Sequence, residues 1–282
     1  MKIYYSPQCL QYSQPGHPEA PSRVRSTFEY LKEKGYSFDE PALCSEEDIL
    51  RAHSSGLFES VKKESFFDFD TPVFKGIYDI ARLSAGSAID AAMHCLDNGE
   101  KAFSLMRPPG HHATINTLGG FCYFNSIAIA CLKALEKVKK VAVVDFDCHH
   151  GNGTEDIFLG KDHLLYLSLH QSPLYPGTGT HSKDNCLNYP LPASTTPDEF
   201  LSVLQDGLKK VEQFTPDLLA VSAGFDSYRH DPITNLTLEL ETYREIGRLL
   251  AALKKPTFSV LEGGYSRDLP ECIYQYLQGL EE

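Results

Sequence analysis

Apolar positions along the chain follow two rhythms. Recurrence every three to four residues runs through 73–96, 125–137, 197–214 and 238–253, the spacing of helices with one buried face. The first of these opens on Thr71-Pro72, which predicts an N-cap with proline at the first helical position. The third opens on Thr196-Pro197-Asp198-Glu199, with carboxylates in the turn where the helix dipole favours them. Between these stretches lie short continuous apolar runs at 102–105, 141–144, 164–169, 218–222 and 257–261, which predict strands buried on both faces. Strands alternating with helices predict an α/β fold with a parallel sheet. No internal repeat, low-complexity tract or long linker interrupts the pattern, so residues 1–282 are expected to form one catalytic-size domain.

Each apolar run ends in a polar, glycine-punctuated segment. These are Arg107-Pro108-Pro109-Gly110-His111-His112, Asp145-Phe146-Asp147-Cys148-His149-His150-Gly151-Asn152-Gly153, His170-Gln171-Ser172-Pro173-Leu174-Tyr175-Pro176-Gly177, Ala223-Gly224-Phe225-Asp226 and Glu262-Gly263-Gly264-Tyr265. Loops at the carboxyl ends of parallel strands share one rim, and that rim is where open α/β sheets bind ligands. Residues far apart in sequence are therefore expected to meet in one pocket.

Composition narrows the class. Hydrophobic residues make up 42% and charged residues 23%, an ordinary globular mixture, and the net charge of −12 is opposite to that of a nucleic-acid binder. No apolar run reaches membrane-spanning length and the start lacks the hydrophobic stretch of a signal peptide, so the expected setting is cytoplasmic, with no membrane partner. Eight cysteines without a C-x-x-C pair point to free, packed thiols rather than a zinc finger. Oligomeric state is left open.

The chemistry-bearing residues sit on the rim segments. Asp147 and His149 are two apart, and in extended backbone such residues face one side. The pair offers an oxygen and a nitrogen to one cation, and Asp226 from another strand end supplies a third ligand; a packed imidazole beside a loop-capping Asp would use the same spacing. Zinc accepts this donor set and keeps a position for water or substrate, and ferrous iron tolerates it as well. His111 and His112 follow a stiff Pro-Pro-Gly turn, and either fits a general base. Asp145 and Asn152 are placed to orient them, or to serve as turn residues. Tyr265 after Gly263-Gly264 presents a phenol to a developing oxyanion, or packs as a buried tyrosine. Phe121 and Tyr175 are aromatics on two of these loops, fitting a channel wall or the core.

Taken together, these segments resemble the histone deacetylase and acetylpolyamine amidohydrolase superfamily. The resemblance rests also on Gly120-Phe121-Cys122-Tyr123-Phe124-Asn125, Ser168-Leu169-His170, Tyr175-Pro176-Gly177-Thr178-Gly179 and an early His17-Pro18-Glu19-Ala20-Pro21-Ser22-Arg23, all in the family's order from about residue 17 to 265. Asn152, where class I relatives carry Asp, is closer to class II. The resemblance implies an arginase–deacetylase fold, a mainly parallel sheet of roughly eight strands between helices. It implies zinc on Asp147, His149 and Asp226, with His111 and His112 handling protons under the orientation of Asp145 and Asn152. Tyr265 would polarise the substrate carbonyl. Asp70, Gly120, Phe121, Tyr175, Ile233 and Gly264 would bind substrate, Phe121 and Tyr175 as tunnel walls and Asp70 as a rim carboxylate. A structural potassium would be held by Asp145, Asp147, His149, Ser168 and Leu169.

The activity implied is hydrolysis of a linear amide, with an acylated lysine in a peptide or protein, an acetylated polyamine or another small acylated amine as substrate. Polyamine-selective relatives can carry a carboxylate after Asp-Pro, whereas Asp231-Pro232 here is followed by Ile233, which favours acyl-lysine. Two other readings stay open: a non-catalytic acyl-lysine binder on the same fold, and a two-metal hydrolase of the arginase type, which needs further Asp and His ligands.

Overall fold

The sheet dominates the architecture. The computed structural model describes residues 1–282 and contains eight strands: β1 (Lys2–Tyr4), β2 (Phe38–Asp39), β3 (Ala102–Ser104), β4 (Val141–Asp145), β5 (Leu164–Gln171), β6 (Cys186–Leu191), β7 (Leu218–Ala223) and β8 (Thr257–Leu261). They form one sheet in the order β2-β1-β3-β8-β7-β4-β5-β6, with every pairing parallel. Strands β3, β4, β5, β7 and β8 are buried at every residue, which is why they read as unbroken apolar runs rather than as an alternation.

Helices cover both faces. One layer joins α1 (Pro21–Glu33), α7 (Pro197–Phe214), α8 (Leu240–Ala252) and α9 (Leu269–Glu281); the other joins α2 (Glu46–Ile49), α3 (Ser55–Lys62), α4 (Ile77–Asn98), α5 (Ser126–Ala134) and α6 (Asn152–Phe158). A continuous cluster of 73 buried residues runs between the layers and the sheet, so the strands share one core. The arginase–deacetylase architecture is therefore present, and the sheet is wholly rather than mainly parallel.

Local rules explain most helix ends. Helix α7 starts at Pro197 behind a capping box in which Thr196 and Glu199 satisfy each other's backbone N–H groups. Helix α5 starts after Asn125, whose side chain accepts the Ala128 N–H. Helix α4 departs from expectation: it begins at Ile77, not near Val73. The Thr71 hydroxyl is not free to cap, because it accepts the Phe121 N–H at 2.9 Å. Residues 64–76 instead form a loop reaching the rim before Gly76 turns the chain into the helix. No helix is long and apolar enough to cross a membrane, and all eight cysteines are buried and unpaired.

Strand order sets up the site. In space β3, β8, β7, β4 and β5 are consecutive, so the loops that follow them stand side by side along one edge.

Candidate active site and metal centre

The five loops close around a cavity of about 240 Å³. Its walls include His111 and His112 from the β3 loop, Asp147 and His149 from the β4 loop, Tyr175 from the β5 loop and Tyr265 from the β8 loop. Gly120, Phe121, Asp70 and Ile233 complete the mouth, together with Pro109, Leu174 and Gly263, to which the sequence reading gave no role. Gly264 does not line the cavity; its neighbour Gly263 does.

Asp147, His149 and Asp226 bring one ligand atom each within 4.8 Å of the others, all three residues being buried. His149 Nδ1 lies 2.8 Å from Asp226 Oδ2 and 3.2 Å from Asp147 Oδ1. Each aspartate has its other oxygen tied to backbone: the Gly263 N–H donates to Asp147 Oδ2 at 2.7 Å, and the Cys148 N–H donates to Asp226 Oδ1 at 2.8 Å. The two remaining oxygens and one ring nitrogen thus face a common point. A tetrahedral ion with bonds of about 2.0–2.1 Å separates its ligands by about 3.3 Å, close to the spacings seen, so the residues fit a divalent cation. Gly263 permits the approach, since a Cβ there would stand 2.4 Å from Asp226 Oδ2 and 2.6 Å from Asp147 Oδ2. Burial works against a charged imidazole, yet Asp226 and Asp147 together push the His149 pKa up to about 10. The pair of buried carboxylates demands a positive charge at this point.

The two histidines of the tandem differ in environment. His111 Nδ1 is 3.1 Å from Asp145 Oδ2, which also accepts the Tyr166 hydroxyl at 2.9 Å. Despite burial, Asp145 and then Asp147 push the His111 pKa up to about 10. His112 Nδ1 is 2.8 Å from Asn152 Oδ1. Burial, followed by the neighbouring His111 and His149, holds the His112 pKa well below the ordinary imidazole range. The rings are 4.1 Å apart between centroids. The surroundings therefore favour the charged form of His111 and the neutral form of His112, each ring with its own partner.

Glu262 anchors the loop that carries them. It is fully buried, accepts the Gly110 N–H at 2.7 Å and the His111 N–H at 3.2 Å, and takes the Ser222 hydroxyl at 3.1 Å. Sequence reasoning quoted Glu262 in a motif without finding this task. It likewise missed the buried ion network in which Arg107 and Arg23 share Glu19. Arg23 donates to the carbonyls of Gly264 and Glu262 at 2.6 Å each and lies 4.7 Å from the Tyr265 ring centroid. The only available signal was arginine and glutamate inside the proline-rich motifs at 17–23 and 107–112.

Tyr265 is partly buried, and the desolvation of its phenol raises the pKa well above the usual value, so it stays a hydrogen-bond donor. Its hydroxyl has no hydrogen-bond partner within the chain and borders the cavity. Phe121 stands edge-on to it at 5.9 Å, and Tyr175 edge-on to His112 at 5.0 Å, so both aromatics wall the cavity. Gly120 lets the wall close, as a Cβ there would meet the His112 ring at 2.3 Å, and its φ of +56° suits glycine. The Gly120 N–H donates to Asp70 Oδ1 at 3.2 Å, fixing Asp70 at the rim. Outside it Phe67 and Phe69 are 83% and 97% exposed, alternating with Asp68 and Asp70, neither of which has an Arg or Lys partner.

Asp145, the last residue of β4, is the register partner of Ser168 within β5. Asp145 Oδ1 accepts the Asp147 N–H at 3.1 Å, and the Ser168 hydroxyl pairs with His170 Nδ1 at 2.8 Å. Leu169 follows Ser168 in the same strand.

The chain matches the histone deacetylase domain over residues 17–280. It is 37% identical to a probable deacetylase of Archaeoglobus fulgidus, an alignment covering 94% of this chain and 81% of that protein. It is 38% identical to an acetylpolyamine amidohydrolase of Burkholderia pseudomallei over 70% of this chain and 61% of that protein. The crystal structure of acetylpolyamine aminohydrolase from Burkholderia pseudomallei superposes with a TM-score of 0.93 at 28% identity, covering 99% of this chain and 98% of that one.

Proposed function

Because this chain belongs to the histone deacetylase family, a family of deacetylases and amidohydrolases, we propose that residues 1–282 are one catalytic domain that hydrolyses the amide of an N-acetylated aliphatic amine with the help of zinc. The observation that carries the reading is the meeting of Asp147, His149 and Asp226 with two differently partnered histidines and an unpaired phenol on one cavity. A non-catalytic binder would have no need of that phenol or of the second histidine. An arginase-like two-metal centre would need a second cluster of ligands, and the chain holds one such cluster.

Asp147, His149 and Asp226 would hold the ion. When bound there, a zinc or ferrous ion supplies Lewis-acid polarisation of the amide carbonyl and a water of lowered pKa. The residues do the rest. Asn152 Nδ2 donates to the His112 carbonyl, which turns its Oδ1 toward His112 Nδ1. His112 then carries its proton on Nδ1 and offers the Nε2 lone pair to the cavity, the form that accepts a proton from the attacking water. His111, held charged by Asp145, keeps a proton beside it for the departing amine. Tyr265 donates its O–H to the carbonyl oxygen as negative charge builds there. Phe121 and Tyr175 exclude bulk water from the acyl group. Asp145, Asp147, His149, Ser168 and Leu169 would hold a structural potassium under the β4 loop, supported by the pairing of β4 with β5 at Asp145 and Ser168.

For the substrate, the acetylpolyamine amidohydrolases among the relatives and the unpaired rim carboxylates Asp68 and Asp70 favour an acetylated polyamine, whose remaining ammonium groups suit that rim. Acyl-lysine in a peptide is the second reading, favoured by apolar Ile233 at the mouth and by exposed Phe67 and Phe69. A cytoplasmic, reducing setting accords with eight unpaired thiols.

The test is acetate release by the zinc-loaded protein from acetylated polyamines and acetyl-lysine peptides assayed side by side. Turnover is expected with at least one class and is expected to drop by about two to three powers of ten in Tyr265→Phe, zinc content unchanged. No release from either class would refute the enzyme reading.

A further inference from the structure

The Tyr265 phenol approaches the cavity from the β8 loop, whereas the ligand Asp226 and the mouth residue Ile233 belong to the loop after β7. Two separate chain segments must therefore be held at a fixed span for the phenol to stand opposite the cation site. One side chain joins them. Asp231 is buried; its Oδ2 accepts the Tyr265 N–H at 2.7 Å and its Oδ1 accepts the Ile233 N–H at 3.0 Å. The segment that carries it is itself fixed. Asp231 N–H donates to Tyr228 O, Arg229 N–H to Leu238 O, Leu238 N–H to Ser227 O, and Asn235 N–H to the Gln171 side chain. On the other side of the phenol, Arg23 holds the Gly264 carbonyl at 2.6 Å.

We propose that Asp231 is a positioning residue for the reaction, a carboxylate tether that sets where the Tyr265 hydroxyl stands by binding the Tyr265 and Ile233 amides at once. The inference rests on the proposed role of Tyr265. Its chemistry is specific to a carboxylate. The two backbone N–H donors arrive at separate oxygens of Asp231, and a side chain with two acceptor oxygens is Asp or Glu. Asparagine offers one oxygen and one N–H₂, so one of the two amides then faces a donor and the span is no longer fixed. Catalytic hydrogen bonds to a developing oxyanion tolerate little displacement.

The experiment is a double-mutant cycle on the zinc-loaded enzyme, with acetate release as readout. Asp231→Asn is expected to lower kcat about 10- to 100-fold with KM within about threefold of the parent and with zinc content unchanged. In the Tyr265→Phe background the same substitution is expected to cost less than about threefold, since the group it positions is already gone. Hydrogen exchange at the Tyr265 amide is expected to quicken in Asp231→Asn. Additive losses in the cycle would overturn the tether, because a general structural defect adds in either background. Parent-level kcat in Asp231→Asn beside a crippled Tyr265→Phe would overturn the tether while leaving the proposed function intact. Parent-level kcat in Tyr265→Phe would overturn both. Should Asp231→Asn not fold, Asp231→Glu, which keeps both oxygens one methylene further out, enters the same cycle with the same expectations.

Discussion

The side chain of Asn152 grips His112 at two points, its Oδ1 2.8 Å from the ring Nδ1 and its Nδ2 3.4 Å from the main-chain oxygen. Its counterpart on His111 is a carboxylate, Asp145. A neutral acceptor fixes the tautomer of His112 without adding the charge that would make the ring more basic. Burial and the two nearby imidazoles already keep it below the ordinary range.

Asn152→Asp follows as the first prediction. A carboxylate within hydrogen-bond distance raises an imidazole pKa by about 1–3 units. The base must be neutral to accept a proton, so a higher pKa leaves less of it competent at any pH below that value. The acid limb of the kcat/KM profile is therefore expected to move to higher pH by about one unit or more. A pH–rate profile of the two proteins measures this directly, and superimposable acid limbs would show that Asn152 does not set the basicity of the group that titrates.

Asp226→Ala is expected to lose the metal. The substitution removes one of three converging donors and leaves the Cys148 N–H, now on Asp226 Oδ1 at 2.8 Å, without its acceptor. Loss of supporting residues alone commonly weakens such sites 10- to 100-fold, so removal of a direct ligand should exceed about 100-fold. Metal content after dialysis is the measurement. Full occupancy in this variant would take Asp226 out of the ligand set.

Sequence reading reached the site because its residues sit at strand ends. Asp147 and His149 share a face by spacing alone, and fully buried strands such as Thr257–Leu261 were legible to the residue. The sheet's outer strands were not. Strand β1 has three residues, β2 two, and β6 carries Asn188 and Pro190 with alternating burial, so none forms a continuous apolar run. Helices α1 and α9 open on Pro21 and on Leu269-Pro270, a signal present but unread. The supports behind the site were hidden for a different reason. Glu262, Asp231 and the Arg23–Glu19–Arg107 network act on backbone groups up to 241 residues away, a pairing that no local pattern encodes.

Ile233→Glu tests the mouth. Ile233 lines the cavity and brings no charge to it. A carboxylate there would meet the distal ammonium of a polyamine but has no partner on a neutral acetyl-lysine peptide. A part-exposed ion pair is worth up to about 1 kcal/mol, so the ratio of kcat/KM for acetylpolyamine over acetyl-lysine should rise roughly fivefold. Competition between the two substrates reads the ratio; a ratio that stays put or falls would mean that the ammonium does not reach this side of the mouth.

His53 links acidity to stability away from the chemistry. The Asn125 N–H donates to His53 Nε2 at 2.9 Å, so that nitrogen must keep its lone pair, and Nδ1 donates to the Thr114 carbonyl at 2.8 Å. Asn125 in turn caps α5 and donates to Ala113 O, next in the chain to His112. Burial pushes the His53 pKa down from 6.5 to about 4. A depressed histidine pKa means that the unfolded chain takes up the proton first. The stability it contributes is whole above pH 6.5 and drains away as the pH falls toward 4. A gap of about 2.5 units corresponds to about 3 kcal/mol. His53→Gln keeps one donor and one acceptor but cannot titrate. Urea denaturation of both proteins at pH 7 and pH 4 should therefore show the parent losing about 3 kcal/mol more than the variant over that interval, and parallel losses would mean that His53 is protonated in the folded state without penalty.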